Sequence, residues 1–353
     1  TEGLINLNVT TGANAEVIRE TTKVFSYQPG KSLQILTTFV MNTGKTNLRQ
    51  RVGYFGTDNG IYLELNGTTL SFVERSNTTG TIIETRVNQD DWNLDTLLGN
   101  VASSPSKITL DISKAQILFI DVEWLGLGTV RCGFVIDGQL IHCHSFHHAN
   151  QITSTYMTTA SLPLRQEIKN TGVTASNSTM KQVCTSVISE GGYELRGSQQ
   201  AVGTAITAPK ALTTKGVFYP VVSIRLKSTA LDAIVIMTAL SILGRGNGVD
   251  FNWQVITGGT VTTASWTPAS ADSAVEYTID GTAISGGRVM ASGYVNSSTQ
   301  ASPSIDVLKE ALFKFQLERN SFTGVATPLT LAIAAGTDTS TCFGAMDWEE
   351  VTR

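Results

Sequence analysis

Apolar and polar residues alternate with a period of two along most of the chain, and helical periodicity is nearly absent. Turn dipeptides separate the alternating runs: Pro29-Gly30, Asn66-Gly67, Asp137-Gly138, Gly191-Gly192, Gly258-Gly259, Asp280-Gly281 and Gly286-Gly287. Short strands joined by frequent tight turns are typical of antiparallel sheets packed as sandwiches. The pattern predicts an all-β protein made of two antiparallel β-sandwich lobes, with short helical segments only near 95–98 and 305–312.

A polar, turn-rich segment at 163–178 separates two strand-dense regions. We interpret it as a boundary, and predict a first sandwich over 1–160, a connecting segment over 161–174 and a second sandwich over 175–353. The alternative is one large sandwich in which this segment crosses between sheets. Because alternation begins within the first residues, we expect either a processed product or the ordered part of a longer polypeptide.

The clearest pattern covers residues 115–149. Asp137-Gly138 between apolar alternations indicates a two-residue hairpin turn, which places Ile141 opposite Phe134 and Cys143 opposite Cys132. A three-residue loop at 126–128 keeps apolar side chains on one face of the preceding hairpin, with Ile120 opposite Phe134. The predicted core face is Leu118, Ile120, Val122, Trp124, Val130, Cys132, Phe134, Ile136, Ile141 and Cys143. We interpret the two cysteines as packed free thiols.

The opposite face of this predicted sheet carries its ionisable side chains in two rows. The rows are Glu123, Arg131 and His144, then Asp121, Gly133 and His142. The first interpretation is a solvated face with pairing between Glu123 and Arg131. The second is a saccharide or other ligand that approaches the side-chain-free Gly133. The third is a metal site using His142 and His144, which the positive charge of Arg131 opposes.

A second candidate site is the acidic loop at 89–95. Asp91, Asn93 and Asp95 occupy alternate positions, as the ligands do at the start of many calcium loops. The loop has Thr96 where such loops carry glycine, and Ala102 where they carry the final acid. A calcium site of another geometry and a hydrogen-bonded acidic turn remain as alternatives.

Composition excludes several classes of function. The chain has 353 residues, of which 41% are hydrophobic and 15% charged, with a formal net charge of -4. This charge gives no basis for nucleic-acid binding, and no run approaches the ~20 apolar residues that a membrane helix needs. All four histidines lie between 142 and 148, and no nucleophile elbow or phosphate-binding glycine loop occurs. We therefore predict no catalytic residues, no cofactor and no enzymatic activity.

Residues 27–137 resemble concanavalin- and laminin-G-like lectin sandwiches, which implies jelly-roll, concanavalin-like lobes. The segments that carry this resemblance are Tyr27 to Gly30, Arg51 to Phe55, Gly60 to Glu64 and Val130 to Gly138. The strand from Phe119 to Glu123 also resembles the E-x-D-x-E strand of laminarinase-type glycoside hydrolases. In those enzymes the first Glu is the nucleophile and the last is the acid/base. Here Phe119 stands in the first place, which removes the retaining mechanism.

A longer resemblance, over most of the chain, is to uncharacterised structural proteins of tailed phages, including cyanophages, and of some large DNA viruses. It rests on Gln89 to Asn93, Ile117 to Gly128, Val130 to Gly138, Phe146 to Asn150, Ser161 to Ile168, Val187 to Tyr193 and Ala345 to Glu350. It implies a virion component of the capsid surface, tail or fibre, which assembles with copies of itself and with other virion proteins. The alternatives are an adhesin that binds a host surface glycan and, less consistent with Phe119, a glycoside hydrolase.

Overall fold

The computed structural model describes residues 3–191, 197–298 and 316–351. Strands and turns make up these residues, apart from one turn of 3-10 helix at Gln89–Asp91, which confirms the predicted all-β fold. The helical segment predicted near 95–98 is a loop, and the one predicted at 305–312 lies outside the described residues. No helix in the described part of the chain is long and apolar enough to cross a membrane.

The chain divides into two compact units, Thr1–Tyr193 and Glu194–Arg353. The described strands of the first unit are β1 (Ile5–Val9), β2 (Glu16–Glu20), β3 (Ser32–Val40), β4 (Leu48–Phe55), β5 (Gly60–Asn66), β6 (Thr69–Ser76), β7 (Ile83–Asn88), β8 (Gln116–Glu123), β9 (Val130–Ile136), β10 (Gln139–Phe146), β11 (Leu164–Asn170) and β12 (Ser178–Ser189). They form two six-stranded antiparallel sheets. The first sheet has the order β1-β12-β3-β8-β9-β10, and the second β2-β11-β4-β5-β6-β7.

The two sheets of the first unit enclose one hydrophobic core between their inner faces. Alternate residues of each strand point inward, such as Ile35 and Ile120 from the first sheet and Val52 and Leu63 from the second. The ring of Phe72 lies 6.2 Å from that of Phe134 and joins the two layers across the core. The unit is therefore a β-sandwich.

The boundary predicted within 161–174 differs from the structure. Leu164–Asn170 is a strand that pairs with β2 on one side and with β4 on the other, and the division between the units falls after Tyr193. The segment is polar in sequence because Arg165 and its alternate neighbours lie on the outer face, while Ile168 points into the core. β12 likewise belongs to the first sandwich.

The meander of β8, β9 and β10 has the predicted inner face, since all ten predicted residues lie in or against the core. The predicted β8–β9 register is wrong by two residues, because Ile120 pairs with Cys132 in the structure and not with Phe134. A shift of two residues leaves every side chain on the same face. Cys132 and Cys143 are both buried and free, as predicted, but they are not paired directly.

The second unit contains two larger sheets and two small hairpins. Its described strands are β13 (Ser198–Gly203), β14 (Lys210–Leu212), β15 (Tyr219–Leu226), β16 (Ile234–Arg245), β17 (Asp250–Thr257), β18 (Thr260–Thr262), β19 (Thr267–Pro268), β20 (Val275–Thr278), β21 (Ala283–Ser285), β22 (Arg288–Asn296), β23 (Glu318–Arg319), β24 (Ala326–Thr327), β25 (Leu329–Ala335) and β26 (Ser340–Val351). The larger sheet has the order β19-β20-β15-β25-β17-β22, and in the other β26 pairs with β13, β14 and β16. They share a core around Phe251 and Trp348.

Candidate functional site

Four of the five residues predicted for a ligand site lie together on the outer face of the first sheet. Asp121 is directly opposite Arg131, whose Nε lies 3.3 Å from Asp121 Oδ2. The same guanidinium also contacts the carboxylate of Glu123. His142 is exposed on this face, opposite Gly133. The arrangement is an ion-paired triad with a histidine beside it.

The fifth residue, His144, lies on the other side of the sheet. A register shift between His142 and His144 turns the second histidine into the core, where it is 6% exposed. Its ring lies 4.6 Å from that of Phe146 and is stacked at 6.5 Å on Phe72. Burial, helped by the charge of His147, lowers the pKa of His144 to about 4. The third interpretation, a metal site using His142 and His144, is therefore wrong.

Gly133 does not provide an open place for a sugar ring. The ring of Phe119 covers it and meets His142 edge-on, with ring centroids 4.9 Å apart. A Cβ atom on Gly133 would lie 2.6 Å from the Phe119 ring and 2.0 Å from the carbonyl oxygen of Ile141. The glycine accommodates the protein's own aromatic side chain.

The same strand lacks a carboxylate in the place that the nucleophile of a retaining glycosidase occupies. Phe119 occupies the first place of the E-x-D-x-E pattern and is 1% exposed. Burial raises the pKa of Asp121, although the charge of Arg131 opposes this shift. With Glu123 also in contact with Arg131, both carboxylates of this strand are ion-paired.

In the acidic loop at 89–95, the side chains of Asn93 and Asp95 form hydrogen bonds with other groups of the protein. The Asn93 side chain donates to Ser145 O and accepts from Ser145 N, both at 2.9 Å. The Asp95 carboxylate accepts from Leu97 N, Ser104 Oγ and Ser106 N. Burial would raise the pKa of Asp95, but these hydrogen bonds outweigh it and lower the pKa.

The third residue predicted for calcium, Asp91, is exposed on the 3-10 turn. Within residues 3–191, 197–298 and 316–351, no three His, Cys, Asp or Glu side chains could hold a metal ion together. The geometry of the loop therefore supports the interpretation as a hydrogen-bonded acidic turn.

A larger polar site, which the sequence analysis missed, covers the outer face of the second sheet. We call it the arginine–glutamate face. It consists of Arg49, Arg51, Arg75, Arg86, Arg165, Glu20, Glu64, Glu84 and Glu167. The strand register builds it directly, since it places Glu167, Arg51 and Glu64 side by side on three neighbouring strands.

Arg51 is at the centre of this face and contacts three carboxylates. Its Nε lies 2.6 Å from Glu64 Oε2, its Nη2 3.3 Å from Glu84 Oε1, and its Nη1 3.6 Å from Glu167 Oε1. The side chains of Arg51, Glu64 and Glu167 are 4%, 1% and 3% exposed. These charges are buried on the outer surface of a sheet, a position where solvated side chains are usual.

Glu84 joins the strands on the other side of the face. Its Oε1 accepts from Tyr62 OH at 2.7 Å and from Arg75 Nη2 at 2.6 Å, and its Oε2 contacts Arg86. Burial alone would raise the pKa of Glu84. The hydrogen bonds from Tyr62 and Arg75, together with the charge of Arg51, reverse the shift and lower the pKa to about 2.

A small aromatic cluster lies beneath the guanidinium groups. Phe55, Tyr62 and Val73 are fully buried there, outside the main core. The guanidinium carbon of Arg75 lies 5.7 Å from the Phe55 ring centre and 5.2 Å from that of Tyr62, and Arg51 lies 5.1 Å from the Tyr62 ring. Cation–π contacts at these distances fix the planes of the guanidinium groups.

An open hollow of about 490 Å³ lies over this face. Its lining residues are Arg49, Arg51, Thr57, Arg75, Ile82, Glu84 and Arg86. Four guanidinium groups and one carboxylate therefore point toward the same space. The sequence indicated part of this face. Arg49 and Arg51 alternate on β4, and Glu84 and Arg86 alternate on β7, the strands on either side of the β5–β6 hairpin.

Comparisons with known proteins describe the fold. No family model and no curated protein matches the chain. The carbohydrate recognition domain of Emp47p is similar in structure, with 10% identity and a TM-score of 0.31, over 53% of this chain and 89% of that one. A legume lectin-like domain from Entamoeba histolytica gives 10% identity and a TM-score of 0.29, over 53% and 84%.

A Bacillus licheniformis β-glucanase is also similar, with 13% identity and a TM-score of 0.31, over 53% of this chain and 77% of that one. The β-sandwich class of the first unit is defined by its own sheets. At these identities and TM-scores, the likenesses carry no argument about what this chain binds or catalyses.

Proposed function

We propose that the protein is a non-enzymatic structural component of a virus particle. In this proposal it is a building block of the capsid surface, tail or fibre, and it assembles with copies of itself and with neighbouring virion proteins. The proposal is supported by three segments on which the resemblance to phage structural proteins rests. Each of them supplies core side chains or buried hydrogen bonds within its own unit.

The first such segment is Gln89 to Asn93. Trp92 fills the core of the first unit, with its ring 4.5 Å from that of Phe72 and its Nε1 donating to Val87 O at 3.2 Å. The side chain of the next residue, Asn93, binds both backbone groups of Ser145. The segment thus fastens a long loop to the end of β10.

The second segment is Phe146 to Asn150. The two ring nitrogens of His148 lie 2.7 Å from Gly128 O and 2.7 Å from Glu74 Oε2, and the ring stacks on Tyr156 at 3.9 Å. Both partners of the ring are oxygen atoms, and the ring can donate to each when it is protonated. This histidine is a link between strands and loops of the first unit.

The third segment is Ala345 to Glu350 in β26. Trp348 is fully buried, and its Nε1 donates to Glu350 Oε1 at 2.6 Å. The same carboxylate accepts from Ser273 Oγ and from Ala274 N. The segment closes the core of the second unit.

The edge strand β22 supports the proposal that the chain assembles with a second chain. Among the described strands, β22 pairs on one side only, with β17. Its exposed apolar side chains include Val289 and Tyr294, the latter 81% exposed, and Arg288 is its one charged residue. Long edge strands with few charges readily pair with another chain unless something covers them.

Mass spectrometry of purified particles of the encoding virus, with copy number, tests the proposal. We expect the chain in many copies per particle. In a complementation experiment, Tyr294→Lys should reduce incorporation into particles, while the matched control Ile206→Lys, at an exposed apolar loop residue, should not. Absence of the chain from purified particles would contradict the proposal.

A carbohydrate-binding adhesin is the second candidate function. It is favoured by the exposed His142 beside the ion-paired Asp121, Glu123 and Arg131. Glycan-array binding that Asp121→Ala abolishes, and that the exposed control Asp58→Ala preserves, would support it. For a glycoside hydrolase we expect no turnover; hydrolysis that disappears with Glu123→Gln would overturn this expectation.

A further inference from the structure

We propose that the arginine–glutamate face is a binding site for a carboxylate-bearing saccharide. The site combines guanidinium groups on rigid strands, carboxylates between them and an open hollow above them. The inference does not rest on the particle role, because a virion component and a free protein could both carry such a site.

Stability alone does not account for this face. Buried ion pairs lose much of their Coulombic gain to desolvation, and apolar side chains of similar size often give equal or greater stability. Here Arg51, Glu64 and Glu167 are nearly fully buried on a surface that could have been apolar or solvated. Charged groups held in place before a ligand arrives are what a polar binding site needs.

The charge balance of the face favours an anion. It has five guanidinium groups and four carboxylates, so the face carries one net positive charge although each arginine contacts a carboxylate. The hollow itself is lined by four of the arginines and only by the carboxylate of Glu84. The side of the face that lines the hollow therefore carries more positive than negative charge.

The geometry of the donors favours a carboxylate on a hydroxylated ligand. Guanidinium groups bind carboxylates through two parallel hydrogen bonds, and carboxylates such as that of Glu84 accept hydrogen bonds from hydroxyl groups. A hollow of about 490 Å³ is far larger than a single ion needs and lies in the range of small-ligand sites. A saccharide with one acid group per ring supplies both kinds of contact.

A polyphosphate chain fits the same face less well. Binding to closely spaced phosphates requires several uncompensated cations, whereas this face has one and the whole chain carries a net charge of -4. Exposed aromatic side chains for base stacking are also missing from the lining of the hollow, whose aromatic neighbours Phe55 and Tyr62 are fully buried.

Titration calorimetry on the full chain tests the inference. The probes are a uronic-acid oligosaccharide, a sialylated oligosaccharide, a neutral gluco-oligosaccharide of equal length and inorganic phosphate. We expect binding of at least one acidic oligosaccharide, and no detectable binding of the neutral one or of phosphate. The two acidic probes distinguish the two sources of the carboxylate.

Arg86→Gln is the first variant, because Arg86 is the most exposed arginine of the face. We expect its Kd to rise by about ten-fold or more, as for loss of a charge-assisted hydrogen bond. Arg49→Gln is the second variant, with the same expectation. Arg131→Gln on the first sheet tests the alternative carbohydrate site, and the control is Arg245→Gln at an exposed position of the second unit, which should leave the Kd unchanged.

Thermal unfolding of each variant shows that it is folded before its Kd is compared. Equal binding of neutral and acidic oligosaccharides would overturn the inference. So would an unchanged Kd in both Arg86→Gln and Arg49→Gln, or a loss of binding confined to Arg131→Gln, which would place the site on the first sheet. Absence of the chain from virus particles would contradict the particle role and leave these results intact.

Discussion

The two buried histidines of the first unit have opposite protonation behaviour because their neighbours differ. Burial and the charge of His147 lower the pKa of His144 to about 4, so the ring is neutral among Phe72 and Phe146. Burial also opposes charge on His148, but the hydrogen bonds to Glu74 and Gly128 outweigh it and raise its pKa. The folded structure therefore favours the protonated form of His148.

This difference predicts a pH-dependent effect of His148→Gln. Because the pKa of His148 is raised on folding, its stabilisation is complete below the unfolded pKa of about 6.5 and is lost as pH rises through the folded pKa. We expect the variant to lose roughly 1–3 kcal/mol in mildly acidic buffer and less in alkaline buffer. Denaturant unfolding across pH measures this, with exposed His147→Gln as control. A loss that grows with pH would contradict it.

Glu84 predicts the opposite dependence on pH. Its pKa is lowered on folding to about 2, so its stabilisation is present above the unfolded pKa of 4.5 and is lost as pH falls toward 2. Glu84→Gln should destabilise the protein at neutral pH by at most about 3 kcal/mol and weaken the dependence on pH below 4.5. Acid unfolding curves check this, with exposed Glu190→Gln as control. If stability depended on pH below 4.5 in the same way in both variants, the prediction would be wrong.

At the scale of strands, the sequence determined which side chains share a face more reliably than which residues pair. Alternation in 115–149 assigns Leu118, Val122 and Phe134 to the core whatever the loop length, provided the register shifts by an even number. The loop after β8 is longer than predicted because Trp124 leaves the strand and is buried, and this moved the pairing by two residues.

Two other features of the structure could not be predicted from the residues next to them in sequence. The register shift that buries His144 depends on Phe72 and Asn93, which come from another strand and a distant loop. β11 has polar residues on its outer face and buried Gln166 on its inner one, so its amino-acid sequence resembles that of a linker. The arginine–glutamate face depends on β11 for Arg165 and Glu167, and could not be assembled without it.

The loop before β8 gives a prediction at the same scale. Asn93→Ala removes two hydrogen bonds to Ser145 and should lower the free energy of unfolding by about 1–3 kcal/mol. Asp91→Ala, at an exposed position, should change it by no more than about 0.5 kcal/mol. Urea unfolding with and without calcium measures both. Stabilisation by calcium that Asp91→Ala abolishes would instead revive the metal interpretation.

At the scale of the whole molecule, the two units have separate hydrophobic cores, and this has a measurable consequence. Phe134 is fully buried in the first core and Phe251 in the second, so truncation of either should cost about 3–5 kcal/mol in its own unit. We expect calorimetry to resolve two unfolding transitions, with Phe134→Ala lowering the Tm of one and Phe251→Ala that of the other. The two variants are matched in residue type and burial, so each is the control for the other. A single transition that both variants shift equally would mean that the units unfold cooperatively, contrary to the prediction.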